Sequence, residues 1–282
     1  MRPGMPSDAT VAIPVMDPDP VDFRECLARA AAAGRPVMVI DMSRGDAARM
    51  EAERHERVVY VPAPDSTGTA RSRNRVLAMS PTDKIVFLDS DAFPRGDWVS
   101  PLVRALEDST VGAVAPRVLP RWSSPPPRLF RSHTALLWLS TFDLGAAPRD
   151  VDVVVGTSFA VHRQRTPTSF DERLGPGLRP NPKRRRLGEE TDFCHRTRSL
   201  GYRVHYEPAS IVEHRVTQTR ASWRWMWRRA YGAGLDQAFH GDVDRPALEK
   251  QWMDVFFKAA CAPPFLAGRR RLRRRQFAVP EE

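Results

Sequence analysis

The apolar run KIVFL at 84–88 ends in Asp89-Ser90-Asp91. Two carboxylates two residues apart, on a turn leaving a buried strand, can meet one divalent cation together with a phosphate-bearing ligand. The competing reading is that these strand-end aspartates cap the helix beginning near Trp98. A second acidic group, Gly188-Glu189-Glu190-Thr191-Asp192, opens a helix behind an Arg-rich loop. Acidic residues in a first turn are favoured by the helix dipole, yet a carboxylate so placed can also act as a general base beside a diphosphate. Third, Gly68-Thr69-Ala70-Arg71-Ser72-Arg73-Asn74 starts a helix with two arginines able to hold phosphate or sugar, unless they form a solvated basic face. Fourth, His214 follows the apolar pair Ile211-Val212, where a lone histidine is more often structural than ligating.

Positioning such groups requires a sheet. Segments 10–15, 36–41, 58–62 and 84–89 read as strands, and 21–33, 46–55 and 69–80 as helices. This alternation is that of an α/β fold, a mostly parallel central sheet flanked by helices. Ligands of such sheets sit beyond the carboxyl ends of the strands. Asp17, Asp41, Asp65, Asp89 and Asp91 all fall at or just past those ends. Further on, the sequence predicts a helix at 98–108, a strand at 111–118 and a Pro-rich surface loop from Pro120. A single strand over 151–161, a helix at 189–200 and a strand at 202–208 follow, then a helical extension at 221–268.

With 282 residues, 41% hydrophobic and 9% aromatic, the chain can bury a sizeable core, which excludes wholesale disorder. Its net charge of +10 is carried by two runs, 183–186 and the six arginines within 269–275. A protein coated in positive charge is therefore excluded, and the acidic strand ends argue against a nucleic-acid-binding protein. Cys26, Cys194 and Cys261 lack metal-ligand spacing and point to a reducing cytoplasm. No apolar stretch approaches the roughly 20 residues of a membrane span, and the N-terminus has no export-signal pattern.

Taken in order, these pieces resemble glycosyltransferase family 2, nucleotide-sugar-dependent enzymes of the GT-A fold. The resemblance covers residues about 10–235. It rests on the strand ending in Pro14, Asp41 with Ser43 and Asp46, the 68–74 helix start, Asp89-Ser90-Asp91, Gly156-Thr157-Ser158, the GEETDF at 188–193 and Gly201-Tyr202-Arg203. It implies a GT-A domain over 1–220, with a nucleotide-sugar half about 10–118 and an acceptor half about 119–220, ahead of the extension and an Arg-rich tail at 269–282. Within the family, 141–145 and the stretch from His214 to Gly234 look most like bacterial mycofactocin-type glycosyltransferases, which suggests natural-product biosynthesis.

By this resemblance, Asp17 and Asp41 contact the nucleoside base, Arg71, Arg73 and Ser90 line the donor, and Asp89 faces the ribose or diphosphate. Asp91 ligates Mn²⁺ or Mg²⁺ with Asp89, and His214 is a further ligand. The donor is a UDP-, GDP- or TDP-sugar, transferred with inversion. Glu190 occupies the position of the family's catalytic Asp, one methylene longer, with Glu189 as the alternative base. Two other departures are Asp41-Met42, where many members have two aspartates, and Arg75, where glycine is common. A metal-dependent nucleotidyltransferase is the competing enzyme class. The run 183–186 suits a lid over the diphosphate, and the Trp- and Arg-rich C-terminal region suits contact with an anionic membrane surface at its inner face.

Overall fold

The computed structural model describes residues 8–64, 68–175, 188–240 and 252–276. The first half alternates as expected: β1 (Thr10–Val15), α1 (Pro20–Ala32), β2 (Val37–Asp41), α2 (Ala47–Ala52), β3 (Val58–Pro62), α3 (Thr69–Met79) and β4 (Lys84–Leu88). Local chemistry starts α1: Pro20 stands at the first turn and the Asp19 carboxylate accepts from Val21 N at 3.0 Å and Asp22 N at 3.1 Å. Then come β5 (Ala92–Arg95), α4 (Val99–Ala105), β6 (Val111–Trp122), α5 (His133–Trp138), β7 (Arg149–Val151), β8 (Ser158–His162), α6 (Glu189–Ser199), β9 (Arg203–Val216), α7 (Trp223–His240) and α8 (Trp252–Gln276).

The described strands form one sheet in the order β3-β2-β1-β4-β8-β6-β9-β5, with β7 also on β9. Strands β1, β2, β3, β4, β6 and β9 run one way, while β5, β7 and β8 run against them. The sheet is thus mixed but mostly parallel. Period-two alternation sends Val11, Ile13, Val37, Val39, Val86 and Leu88 to one face, under α1, α2 and α4. Ala12, Met38, Ile40, Ile85 and Phe87 go to the other, under α3 and α6.

Three sequence expectations change here. The strand expected over 151–161 is two, β7 and β8, separated by an irregular crossing at 152–157. The loop expected from Pro120 begins later, because β6 continues to Trp122. Val118 N points away from β9 and bonds Phe142 O at 2.8 Å. Pro120 shares that parity, so its missing donor falls where no continuous ladder runs. Finally, β9 runs on past Pro208 to Val216. Its register against β6 jumps from Pro116↔Glu207 to Arg117↔Ile211, so Pro208 lies in a bulge.

The helical extension has its own core. Phe130, Trp138, Leu139 and Val216 of the body pack with Met226, Ala230, Phe257 and Cys261 of α7 and α8. Gly234 lets the two helices touch, since a Cβ there would lie 2.0 Å from Phe265 O. The backbone of the Arg-rich segment continues α8 as far as Gln276, so the tail expected from 269 begins as helix. Phe257 sits at the centre of this layer, edge-on to Phe130 and Trp138 and stacked on Trp223. Phe257→Ala is expected to destabilise the layer by about 3–5 kcal/mol, read as an early tryptophan-fluorescence transition in urea.

Candidate active site

The carboxylates singled out above sit at the carboxyl ends of β1, β2 and β4, tied together by one hydrogen-bond chain and one cluster of ion pairs. The first is built on Asp41, the last residue of β2. It is buried, and its carboxylate accepts from Ser43 N at 2.8 Å and from the Tyr60 hydroxyl at 2.9 Å. Burial, with this bond to Asp41, pushes the Tyr60 hydroxyl up to about 12. Ser43 Oγ in turn accepts from Asp17 N at 2.8 Å. Asp17 is exposed and takes a left-handed φ of 46°, a conformation that aspartate tolerates better than bulky residues. Of the two aspartates expected at the nucleoside base, Asp17 is presented outward, whereas Asp41 is buried and organises the loop that presents it.

The cluster centres on Arg73. The reading of Arg73 as part of a solvated basic face fails, because its side chain is only 1% exposed and is turned onto carboxylates. Asn74 clamps Phe170, donating to its carbonyl at 3.0 Å and accepting from its N–H at 2.6 Å. Arg73 Cζ then lies 5.1 Å from the ring centre of Phe159, 5.7 Å from Phe170 and 6.0 Å from Phe87. Its nitrogens reach Glu190 Oε1 at 2.8 Å, Gly156 O at 3.1 Å, Glu189 Oε1 at 3.3 Å and Asp89 Oδ1 at 3.9 Å. Burial opposes the charge of Arg73, but Glu190, Glu189 and Asp89 more than offset it and raise its pKa. Arg71, two residues earlier on the outer face of α3, pairs with Glu172 at 3.0 Å.

Glu189 and Glu190 occupy the first turn of α6, behind Gly188 at φ 93°. They face inward, and only Glu190 keeps partial exposure. Gly156 makes room for it: a Cβ there would stand 2.2 Å from Glu190 Oε1. Glu189 is enclosed. Its carboxyl is pushed up to about 8 by burial first, with Glu190 adding and Arg73 opposing.

Asp89, Asp91 and His214 offer ligand atoms within 4.8 Å of one another. Helix capping does not explain the aspartates, since Asp97 supplies the acceptor at the start of α4, to Ser100 N at 3.1 Å. Pairing of β5 with β9 sets Ala92 opposite His214, and Arg215 N bonds Asp91 O at 3.0 Å. The buried imidazole places Nδ1 2.8 Å from Leu139 O. A carbonyl only accepts, so Nδ1 carries the proton and Nε2 presents its lone pair, 3.5 Å from Asp91 Oδ1. That set of two carboxylates and one neutral imidazole nitrogen suits Mn²⁺ or Mg²⁺ chemistry. Crowding raises the Asp89 carboxyl to about 6 against the pull of Arg73, with Asp91 adding to the rise. Asp91 is crowded too, yet its carboxyl lies below the usual range, and the nearby positive charge of Arg220 is among the influences that lower it. Ser90 between them is half-buried.

Arg220 went unnoticed in the sequence. Its Nη1 donates to His214 Nε2 at 3.0 Å and lies 3.7 Å from Asp91 Oδ2. The only sequence signal was an arginine six residues after the histidine. Asp65 and the run 183–186 fall outside the described residues.

The enclosed Glu189 makes stability depend on pH. A carboxyl whose pKa is higher folded than unfolded holds its proton more tightly in the native state, so its contribution is complete at low pH and lost as pH rises. The melting temperature should therefore fall as pH rises from about 4.5 towards 8, and Glu189→Gln should flatten that fall in a pH series of thermal melts.

The sequence pattern of the family Glycosyl transferase family 2 matches residues 11–203. A pre-mycofactocin glycosyltransferase of Mycobacterium tuberculosis is 32% identical over 242 residues, 80% of this chain and 46% of that protein. Succinoglycan biosynthesis protein ExoM of Rhizobium meliloti is 26% identical over 178 residues, 63% of this chain and 54% of its own. The chain spans about half the length of the curated relatives it matches. Among solved structures, a mannosyltransferase from Pyrobaculum calidifontis in complex with GDP-Man and Mn²⁺ superposes with a TM-score of 0.58 at 19% identity, covering 97% of this chain and 76% of that one. GalNAc-T7 with UDP, GalNAc and Mn²⁺ gives 0.56 at 11% identity, covering 98% and 59%. These likenesses identify the GT-A fold, and the match over 11–203 with the mycobacterial similarity shows that the chain belongs to glycosyltransferase family 2.

Proposed function

We propose that this chain transfers a sugar from a nucleoside-diphosphate sugar to an acceptor nucleophile, with inversion at the anomeric carbon and with Mn²⁺ or Mg²⁺. One observation carries the reading: a single guanidinium, Arg73, touches both Glu190 and Asp89, so a candidate base and a cation-binding group share one end of the sheet. The solved relatives with GDP-Man or UDP together with Mn²⁺ support the donor and metal class. The likeness to a pre-mycofactocin glycosyltransferase supports an acceptor of that class, and the three free cysteines favour a reducing cytoplasm.

In this reading Asp89, Asp91 and His214 Nε2 would hold the cation once Arg220 Nη1 gives up its bond to Nε2, and the cation would supply Lewis-acid stabilisation of the departing diphosphate. Asp17 and the loop organised by Asp41 receive the nucleoside, with Arg71 and Ser90 along the donor. Arg220, already beside Asp91, contributes a second positive charge towards the diphosphate. Glu190 takes the proton of the acceptor nucleophile. As that atom bonds to the anomeric carbon from the opposite side, the bond to the diphosphate oxygen breaks and its electron pair leaves with the diphosphate. Glu189, enclosed and poorly ionised, orients Arg73 and leaves the base role to Glu190.

Thermal-shift and calorimetric titration with UDP, GDP and TDP, each with and without Mn²⁺, tests the donor reading through stabilisation by binding. One nucleotide should bind in a Mn²⁺-dependent manner, and Asp91→Asn should abolish that dependence. Glu190→Gln should lower turnover about 10²–10⁴-fold while nucleotide binding persists. Pyrophosphate release in place of nucleoside diphosphate, or an unchanged Mn²⁺ effect in Asp91→Asn, overturns the assignment.

A further inference from the structure

Helix α8 carries two apolar faces. Phe257 and Cys261 are buried and face the body, with Phe265 packed beside them. The outward face is apolar as well: Val255 is 59% exposed, Phe256 62% and Leu266 43%. Ala259, Pro263 and Ala267 are exposed too. Positions 255, 259, 263 and 266 recur at helical spacing, so they form one continuous stripe along the axis. A surface helix of a freely soluble protein would carry charge there.

Charge is instead collected beyond the stripe. Between Val255 and Pro280 there is no aspartate or glutamate, while Lys258 and six arginines from Arg269 to Arg275 supply only positive charge. The backbone stays helical through Gln276, and Arg270 is exposed just past Leu266. At 1.5 Å per residue a helix of 25 residues is about 37 Å long. No helix of the described residues is long and apolar enough to cross a membrane.

We propose that α8 lies flat on an anionic lipid bilayer, with Val255, Phe256, Pro263 and Leu266 entering the acyl boundary and the positive charge at its C-terminal end meeting lipid phosphates. A bilayer satisfies both halves of this surface, the apolar stripe and the acid-free cationic end. Nucleic acid would meet the charge and leave the stripe in water. A second copy of the chain would bring the same cationic, acid-free surface to its own image. The assignment rests on α8 alone and stands apart from the chemistry proposed at the strand ends.

The test is flotation of the full chain with phosphatidylcholine vesicles and with phosphatidylcholine vesicles containing phosphatidylglycerol. The chain should float with the anionic vesicles only, and added salt should weaken binding. Phe256→Glu combined with Leu266→Glu should weaken it at least about tenfold, with an unchanged circular dichroism spectrum and thermal melt. Equal flotation with neutral vesicles, or no flotation with either, overturns the proposal. So does anionic-vesicle binding that the two glutamates leave intact, which would mean adsorption by charge alone. A dimer in light scattering that the two glutamates dissolve, with no vesicle binding, would assign the face to a second copy and equally overturn it.

Discussion

Burial of one guanidinium is the constraint on which the site depends. Arg73 lies between the rings of Phe87, Phe159 and Phe170 and the carboxylates of Glu189, Glu190 and Asp89. A cation so enclosed is tolerable only with close anionic partners, and removing one partner of a buried pair costs about 3–5 kcal/mol. Strands β4 and β8, helix α3, the first turn of α6 and the crossing at Gly156 are therefore tied to one point. One positive charge faces three carboxyls, however. The imbalance is relieved at Glu189 by a retained proton, and a bound cation beside Asp89 would relieve it further.

The other half of the site depends on sheet register. The bulge in β9 around Pro208 shifts its partner on β6, and His214 arrives opposite both Ala92 and Pro120. Leu139 supplies the carbonyl that sets the imidazole tautomer, and Thr157 holds the neighbouring Ser140 carbonyl at 2.7 Å. Ser140 itself has φ 60°, an unusual value for a non-glycine residue, and both adjoining carbonyls are occupied. The same stretch forms part of the core under α7 and α8, so the extension supports the histidine from behind.

Much of this was legible in the chain because it is local. The strand–helix alternation through Leu88 rests on apolar periodicity, and Asp89, Asp91, Glu190 and His214 stand out by spacing and order. What was hidden is non-local. Nothing near Arg73 tells that its side chain turns inward, since the rings that receive it come from β4, β8 and the segment around Phe170. Arg220 acquires meaning only when β9 folds back beside Asp91. Prolines misled at Pro120 and Pro208, because their cost in a strand depends on which side pairs, a property of neighbours. Similarly, β5 is four residues long and exists through its pairing with β9.

Gly156 bears on the departure at position 190. Where the family resemblance leads one to expect aspartate this chain has glutamate, whose Oε1 lies in the space that a Cβ at 156 would fill. The two positions are therefore coupled in space. While glutamate stands at 190 in this geometry, replacing Gly156 requires the carboxylate to withdraw from Arg73. Aspartate at 190 would relieve the contact with Oε1, leaving Arg73 Nη2, 3.2 Å away, as the remaining close neighbour of a Cβ at 156. The two sites thus divide one volume between a backbone crossing and a carboxylate.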